Sequence, residues 1–186
     1  MPILGKEPDL FPDDLLTRLS PDEEPGTWHV MYTLSRREKD LMRRLRSKNV
    51  AYYGPVVQQR KRSPAGRIRT SYIPLFNGYV FVCGDEEARY TAVSTGCVSR
   101  QLAVVDNTEL LTDLRRIHLL QAAGEDVRPE PTPLVGRTAV VISGPMAGVR
   151  GTITQEHSKH RLTVVVKFMN QGASVLVDEA DLELVD

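Results

Sequence analysis

Apolar and polar residues change their periodicity several times along the chain, and the changes fall at proline- and glycine-rich stretches. Over residues 1–26, Pro2, Pro8, Pro12, Pro21 and Pro25 are mixed with acids. Such a mixture sustains neither a long helix nor a strand, so a mostly disordered tail is expected. Trp28 to Tyr32 is a short apolar run that predicts a strand. Ser35-Arg36-Arg37-Glu38 then has the S-x-x-E form of a helix-capping box. The helix it predicts carries Leu41, Met42 and Leu45 as one stripe, with Arg36, Arg37, Lys39, Arg43, Arg44, Arg46 and Lys48 over the remaining surface.

Val56 to Gln59, the basic stretch Arg60 to Arg69 with Pro64 and Gly66, and the return through Tyr72-Ile73 predict a hairpin with a basic tip. The most apolar and aromatic segment follows, Pro74 to Val82, reading as a central strand that the Asn77-Gly78 pair kinks or bulges. Asp85 is placed to cap a short helix ending at Ser94 and Gly96, Val98 to Val105 predicts another strand, and Asp106-x-x-Glu109 opens a helix with Leu110, Leu114 and Ile117 on one face. Residues 27–123 thus alternate strands and helices. Residues 124–133, with Pro129, Pro131 and Pro133, predict an extended linker. From 134 to 186 the texture is all-β, with strands expected at 138–142, 151–155, 162–168, 174–177 and 182–185. Five short strands suit a small closed barrel, because closure removes exposed edges. The expected fold class is therefore α+β: a sheet flanked by helices, joined by a linker to an SH3-like barrel.

Charge changes this picture more than composition does. The formal net charge is zero, yet residues 1–26 carry seven acids against Lys6 and Arg18, whereas residues 35–70 carry twelve basic residues against Glu38 and Asp40, a local excess of +10. An excess of that size marks a candidate polyanion footprint, the alternative being a solvated helix face and hairpin tip. Hydrophobic residues make up 41% of the chain, enough for a packed core. No apolar run has membrane-spanning length and no signal pattern opens the chain, so a cytoplasmic location without membrane contact is expected. Cys83 and Cys97 lack C-x-x-C spacing and suit burial in a reducing compartment.

Signals for catalysis are weak. His29, His118, His157 and His160 have no neighbouring cluster at metal-ligand spacing, and the H-x-x-H at 157–160 falls in an expected hairpin turn. No nucleophile elbow, phosphate-binding loop or dinucleotide fingerprint occurs. We therefore expect no enzymatic activity, no metal and no cofactor.

Two stretches carry more information. Val140 to Ile153 runs from an apolar strand through Gly144-Pro145 into Gly148-x-x-Gly151 and a second strand. Proline fixes the turn, and the later glycines allow positive φ or close backbone approach. This stretch resembles a KOW motif. Together with Trp28-His29-Val30, the basic helix and Leu75-Phe76-Asn77-Gly78-Tyr79-Val80-Phe81-Val82, it makes residues 27–186 resemble the NusG family of transcription elongation factors. Two departures stand out, Asn77 where the family has proline and Met146 where it has an aromatic. The first, with the Tyr-Val-Phe-Val ending, is closer to specialised RfaH-like paralogues.

The resemblance implies a monomer that binds RNA polymerase clamp helices through its first domain, suppresses pausing or termination, and recruits a second partner through its KOW domain, either Rho or a small-subunit ribosomal protein. The polymerase surface implied is Tyr32, Leu75, Phe76, Asn77, Gly78, Tyr79 and Phe81, with about half of Leu75, Phe76, Tyr79 and Phe81 expected to face the core because strand residues alternate. Arg60, Lys61, Arg62, Arg67 and Arg69 are candidates for contact with DNA or RNA near the transcription bubble. Gly144, Pro145, Met146, Phe168, Met169 and Asn170 are candidates for the KOW partner. Residues 134–186 carry five basic residues against six acids, which favours protein over nucleic acid there. The rival readings are a ribosome-associated RNA-binding protein and a structural adaptor without polymerase affinity.

Overall fold

The computed structural model describes residues 6–18, 26–64, 66–123, 127–130, 136–156, 159–166 and 169–185. The chain divides into two compact units, Met1–Asn107 and Thr108–Asp186.

In the first unit, β1 (Leu10–Phe11), β3 (Ala51–Tyr53), β6 (Tyr79–Cys83), β2 (Trp28–Thr33) and β7 (Val98–Leu102) pair in that order, antiparallel throughout. Helices α2 (Glu38–Ser47) and α3 (Glu86–Val93) back one face. Leu41, Met42 and Leu45 of α2 and Ala92 of α3 bury with Met31, Tyr52, Val80 and Val82, the alternate residues of three strands. The other alternates, Val30, Tyr53 and Phe81, are buried too, so these central strands read as apolar on both faces. Asp85 caps α3 as its sequence predicts, its carboxylate accepting the Ala88 N–H at 3.0 Å. Strands β4 (Val56–Arg62) and β5 (Ile68–Pro74) form a separate two-stranded ribbon, the predicted basic hairpin.

Four expectations are corrected in this unit. Residues 6–18 are folded: β1 adds an edge strand, α1 (Leu15–Arg18) follows, and Leu10, Leu15 and Leu16 are buried. Prolines 8 and 12 flank a two-residue edge strand, the one place in a sheet where a missing N–H costs little. Residues 1–5 and 19–25 of the expected tail lie outside the described residues. Ser35 does not cap α2; the cap is Arg37, with no side-chain hydrogen bond, because Arg36 turns the chain at φ +59° and Glu38 is engaged elsewhere. The run Pro74 to Val82 is not one kinked strand. It ends β5 in the ribbon, turns at Gly78 and begins β6 in the main sheet. The strand expected at 98–105 stops at Leu102.

The second unit contains α4 (Asn107–Ala123) from Thr108 on, with Leu110, Leu111, Leu114, Ile117 and Leu120 buried. Its sheet runs in the order β13 (Leu182–Leu184), β9 (Arg137–Val141), β10 (Arg150–Glu156), β11 (Lys159–Val166), β12 (Gln171–Val177) and β8 (Arg128–Glu130), again antiparallel. Ala139, Val141, Val149, Leu162, Val164, Val166, Ala173 and Val175 form its core. Residues 128–130, expected as linker, pair with β12 instead. Glu130 accepts the Ser174 hydroxyl at 2.6 Å, and Ser174 accepts from the buried Arg161 guanidinium at 3.1 Å. This polar chain draws in a segment whose prolines suggested extension. Among the described residues no pairing joins β13 to β8.

Candidate functional site

The Asn77–Gly78 turn is the centre of the first surface. Gly78 has φ +83°, a conformation that disfavours any side chain, and a Cβ there would lie 3.0 Å from the Tyr32 ring. Three hydrogen bonds fix the turn. Its carbonyl accepts the Thr33 N–H at 2.8 Å, the Tyr79 N–H reaches the Phe76 carbonyl at 3.2 Å, and the Gly78 N–H donates to the Glu38 carboxylate at 2.7 Å. Glu38, read from sequence as half of a capping box, thus ties the first turn of α2 to the aromatic strand.

Cross-strand register places Tyr79, Tyr32 and Arg100 in one row over β6, β2 and β7. The tyrosine rings meet edge to face at 5.2 Å, and the Arg100 guanidinium lies 4.9 Å above the Tyr32 ring. These geometries are favourable for aromatic pairs and for a cation over an aromatic face. Tyr32, Gly78 and Tyr79 are half-buried, and Asn77 and Arg100 are exposed. Leu75, Phe76 and Phe81 are buried, with Phe76 edge-on to Phe81 at 6.4 Å. Three of the four apolar strand candidates are therefore core, and Tyr79 alone of them reaches the surface. Arg100 was missed because, in sequence, it is one polar residue in a short strand; only register puts it on Tyr32.

The second surface is the ribbon. Arg60, Lys61, Arg62, Arg67 and Arg69 are all exposed, and Lys61 lies directly opposite Arg69. Like charges across a strand pair repel. On and beside α2 three of the seven cations are paired: Arg37 and Arg44 with Asp40 at 2.8 and 3.3 Å, and Arg43 with Glu7 at 3.4 Å. The hydrogen bonds from Arg44 and Arg37 hold the Asp40 carboxyl below its ordinary range. Among the described residues none of the five ribbon cations has a carboxylate partner, so the +10 excess divides evenly: five charges on an unpaired ribbon and a net five on and beside the helix, where three of seven cations are paired.

The third is the turn between β9 and β10. Gly144 and Pro145 are exposed, Met146 is buried, Gly148 has φ +85°, and a Cβ on Gly151 would strike the Thr163 carbonyl. Ser143 donates to the Asp181 carboxylate. Met169 is half-buried and Asn170 exposed at φ +52°, while Phe168 lies outside the described residues. Of the histidines, His157 also lies outside them; among the described residues no three His, Cys, Asp or Glu side chains gather as a metal site would, and no helix is long and apolar enough to cross a membrane.

A helix-backed antiparallel sheet with a half-exposed tyrosine row and a basic ribbon, followed by a C-terminal all-β region bearing a Gly-Pro turn, defines an α+β protein with a KOW-like second part. The family model described as NusG, transcription termination factor nusG, matches residues 26–116. Among solved structures, the chain is similar to Thermotoga maritima NusG, in a structure titled for its domain interaction, at 20% identity over 86% of this chain and 97% of that one, with a TM-score of 0.46. It is similar to the MjSpt4:Spt5 complex at 14% identity, over 86% and 99% of the two chains, with a TM-score of 0.28. No curated protein matches. On the family match, residues 26–116 form a NusG-family domain, and the chain is similar to that family over this part.

Proposed function

We propose that this chain is a non-enzymatic elongation factor that binds RNA polymerase through its first unit, suppresses pausing or termination, and recruits a second protein, Rho or a small-subunit ribosomal protein, through its KOW-like unit. The observation that carries the reading is the Tyr79–Tyr32–Arg100 row. Two aromatic side chains held half out of the core are poor for solubility and good as anchors, since each ring buries large area with few rotatable bonds. A factor that grips the clamp favours the closed state of the enzyme, a shift of population and not a chemical step. The five ribbon cations without carboxylate partners suit phosphates near the transcription bubble, and residues 134–186, with five basic residues against six acids, suit a protein partner.

The test is co-purification with core polymerase and single-round transcription through a pause site. Tyr32→Ala/Tyr79→Ala is expected to abolish retention and restore pausing, with retention by the unsubstituted chain insensitive to moderate salt. Equal retention of the double variant, or no retention of the unsubstituted chain, overturns the proposal and leaves the adaptor reading.

A further inference from the structure

Residues 6–18 precede the stretch that matches the family, yet they are folded onto the first unit at one particular place. Asp9 uses both its backbone and its side chain there. Its carbonyl accepts the Gly54 N–H at 2.7 Å, and its carboxylate accepts the Val56 N–H at 3.3 Å and faces the Lys6 ammonium at 3.4 Å. Gly54 and Val56 flank Pro55, whose carbonyl accepts the Leu75 N–H at 2.7 Å, and Val56 paired with Pro74 is the first rung of the basic ribbon. Asp9 therefore grips the outgoing strand of the ribbon at its root. The returning strand is held from the helix, where the Lys39 ammonium donates to the Tyr72 carbonyl. Around Asp9 the attachment is firm: Leu10 and Phe11 pair with Tyr53 and Tyr52, Phe11 stacks on Tyr52, the Tyr52 hydroxyl donates to the Pro8 carbonyl at 3.0 Å, and Glu7 meets Arg43.

The ribbon forms a sheet of its own. Seven residues of strand carry its cations roughly 20 Å from the root, so a small rotation at the root becomes a large displacement at Arg62 and Arg67. We propose that residues 6–18 are a strap that aims the basic ribbon, and that Asp9 is the positioning residue in it. The inference rests on the reading of the ribbon as a nucleic-acid surface. Apparent affinity is the intrinsic affinity reduced to the fraction of molecules whose ribbon points correctly, so loosening the root weakens binding without removing a single cation.

The experiment measures binding of the full chain to a fluorescein-labelled oligonucleotide, single-stranded and duplex, by anisotropy over a range of salt, with amide exchange at Val56 followed in parallel. Asp9→Ala is expected to weaken binding about two- to tenfold, the equivalent of one hydrogen bond's net contribution, and to speed exchange at Val56, while the slope of log affinity against log salt stays that of the unsubstituted chain. Asp9→Asn keeps an acceptor oxygen and is expected to restore both affinity and exchange. Arg60→Ala/Lys61→Ala is expected to flatten the slope. If Asp9→Ala does not fold, Asp9→Ser, which falls short of Val56, replaces it with the same expectations. Salt-dependent binding by the unsubstituted chain with no loss in the Asp9 variants overturns the strap alone. No salt-dependent binding by the unsubstituted chain overturns the ribbon reading, and the strap with it.

Discussion

Glu38→Ala isolates the contact that links helix and aromatic row. The Glu38 side chain is nearly buried, and its carboxylate accepts the Gly78 N–H at 2.7 Å. A hydrogen bond to a charged group contributes about 1.5–3 kcal/mol, and truncation here leaves a half-buried N–H to water that has limited access. Alanine's better helix propensity returns only a few tenths of a kcal/mol. Glu38→Gln keeps an oxygen in reach and is expected to cost about 0.5–1.5 kcal/mol. Because the chain has two units, a single melting curve mixes two transitions; the sharper assay is native-state amide exchange at Gly78, Tyr79 and Thr33. A loss of about 1.5–3 kcal/mol corresponds to exchange roughly ten- to a hundredfold faster at Gly78, with Thr33 following because its N–H bonds the Gly78 carbonyl. The same variant is expected to weaken retention on polymerase although Glu38 offers almost no surface of its own. Exchange at Gly78 within about twofold of the unsubstituted chain would refute the coupling of α2 to the tyrosine row.

Leu15→Ala, at a fully buried position in the expected tail, is expected to cost about 2–5 kcal/mol in urea unfolding of the first unit, where a disordered tail would cost nothing measurable. Burial, with the neighbouring Asp9 carboxylate, raises the Tyr53 phenol well above its ordinary value. The folded state therefore favours the neutral phenol, so this contribution is intact below the unfolded value near ~10 and is lost as pH rises from there toward the folded value; an ultraviolet phenolate titration should show Tyr53 ionising only with unfolding. Ser174→Ala removes both the acceptor for Arg161 and the donor to Glu130, and is expected to cost about 1–3 kcal/mol and to speed amide exchange at Arg128 and Glu130 beyond the rest of the second sheet.

The elements of the fold were legible wherever one segment settled its own structure. The stripe of Leu41, Met42 and Leu45, the Asp85 cap and the basic hairpin each follow from spacing within a dozen residues or so, and each stands where the periodicity puts it. What escaped were decisions made by distant residues. Averaged over 26 positions, the acidic N-terminus reads as disordered; Leu10, Phe11, Leu15 and Leu16 outweigh that average only because the β3 edge is there to receive them. Pro129 argued for a linker, yet Glu130 has a partner in Ser174, forty-four positions away. Glu38 satisfied a local motif on paper and was claimed by Gly78, forty positions away. Of the aromatic candidates, alternation correctly warned that some would be core, but not that Leu75 and Phe76, outside any strand, would be buried together.

The same distinction separates the two charged surfaces. A run of basic residues looks uniform in sequence, but three cations on and beside α2 meet carboxylates, Arg37 and Arg44 at Asp40 and Arg43 at Glu7 in the strap, whereas among the described residues no ribbon cation does. At those three helix positions a phosphate would first have to displace a carboxylate. An uncompensated ribbon relieves the repulsion between Lys61 and Arg69 when an anion arrives. The folded acids thus engage three of the helix cations and none of the ribbon's among the described residues; the strap touches both, meeting Arg43 through Glu7 and the ribbon root through Asp9.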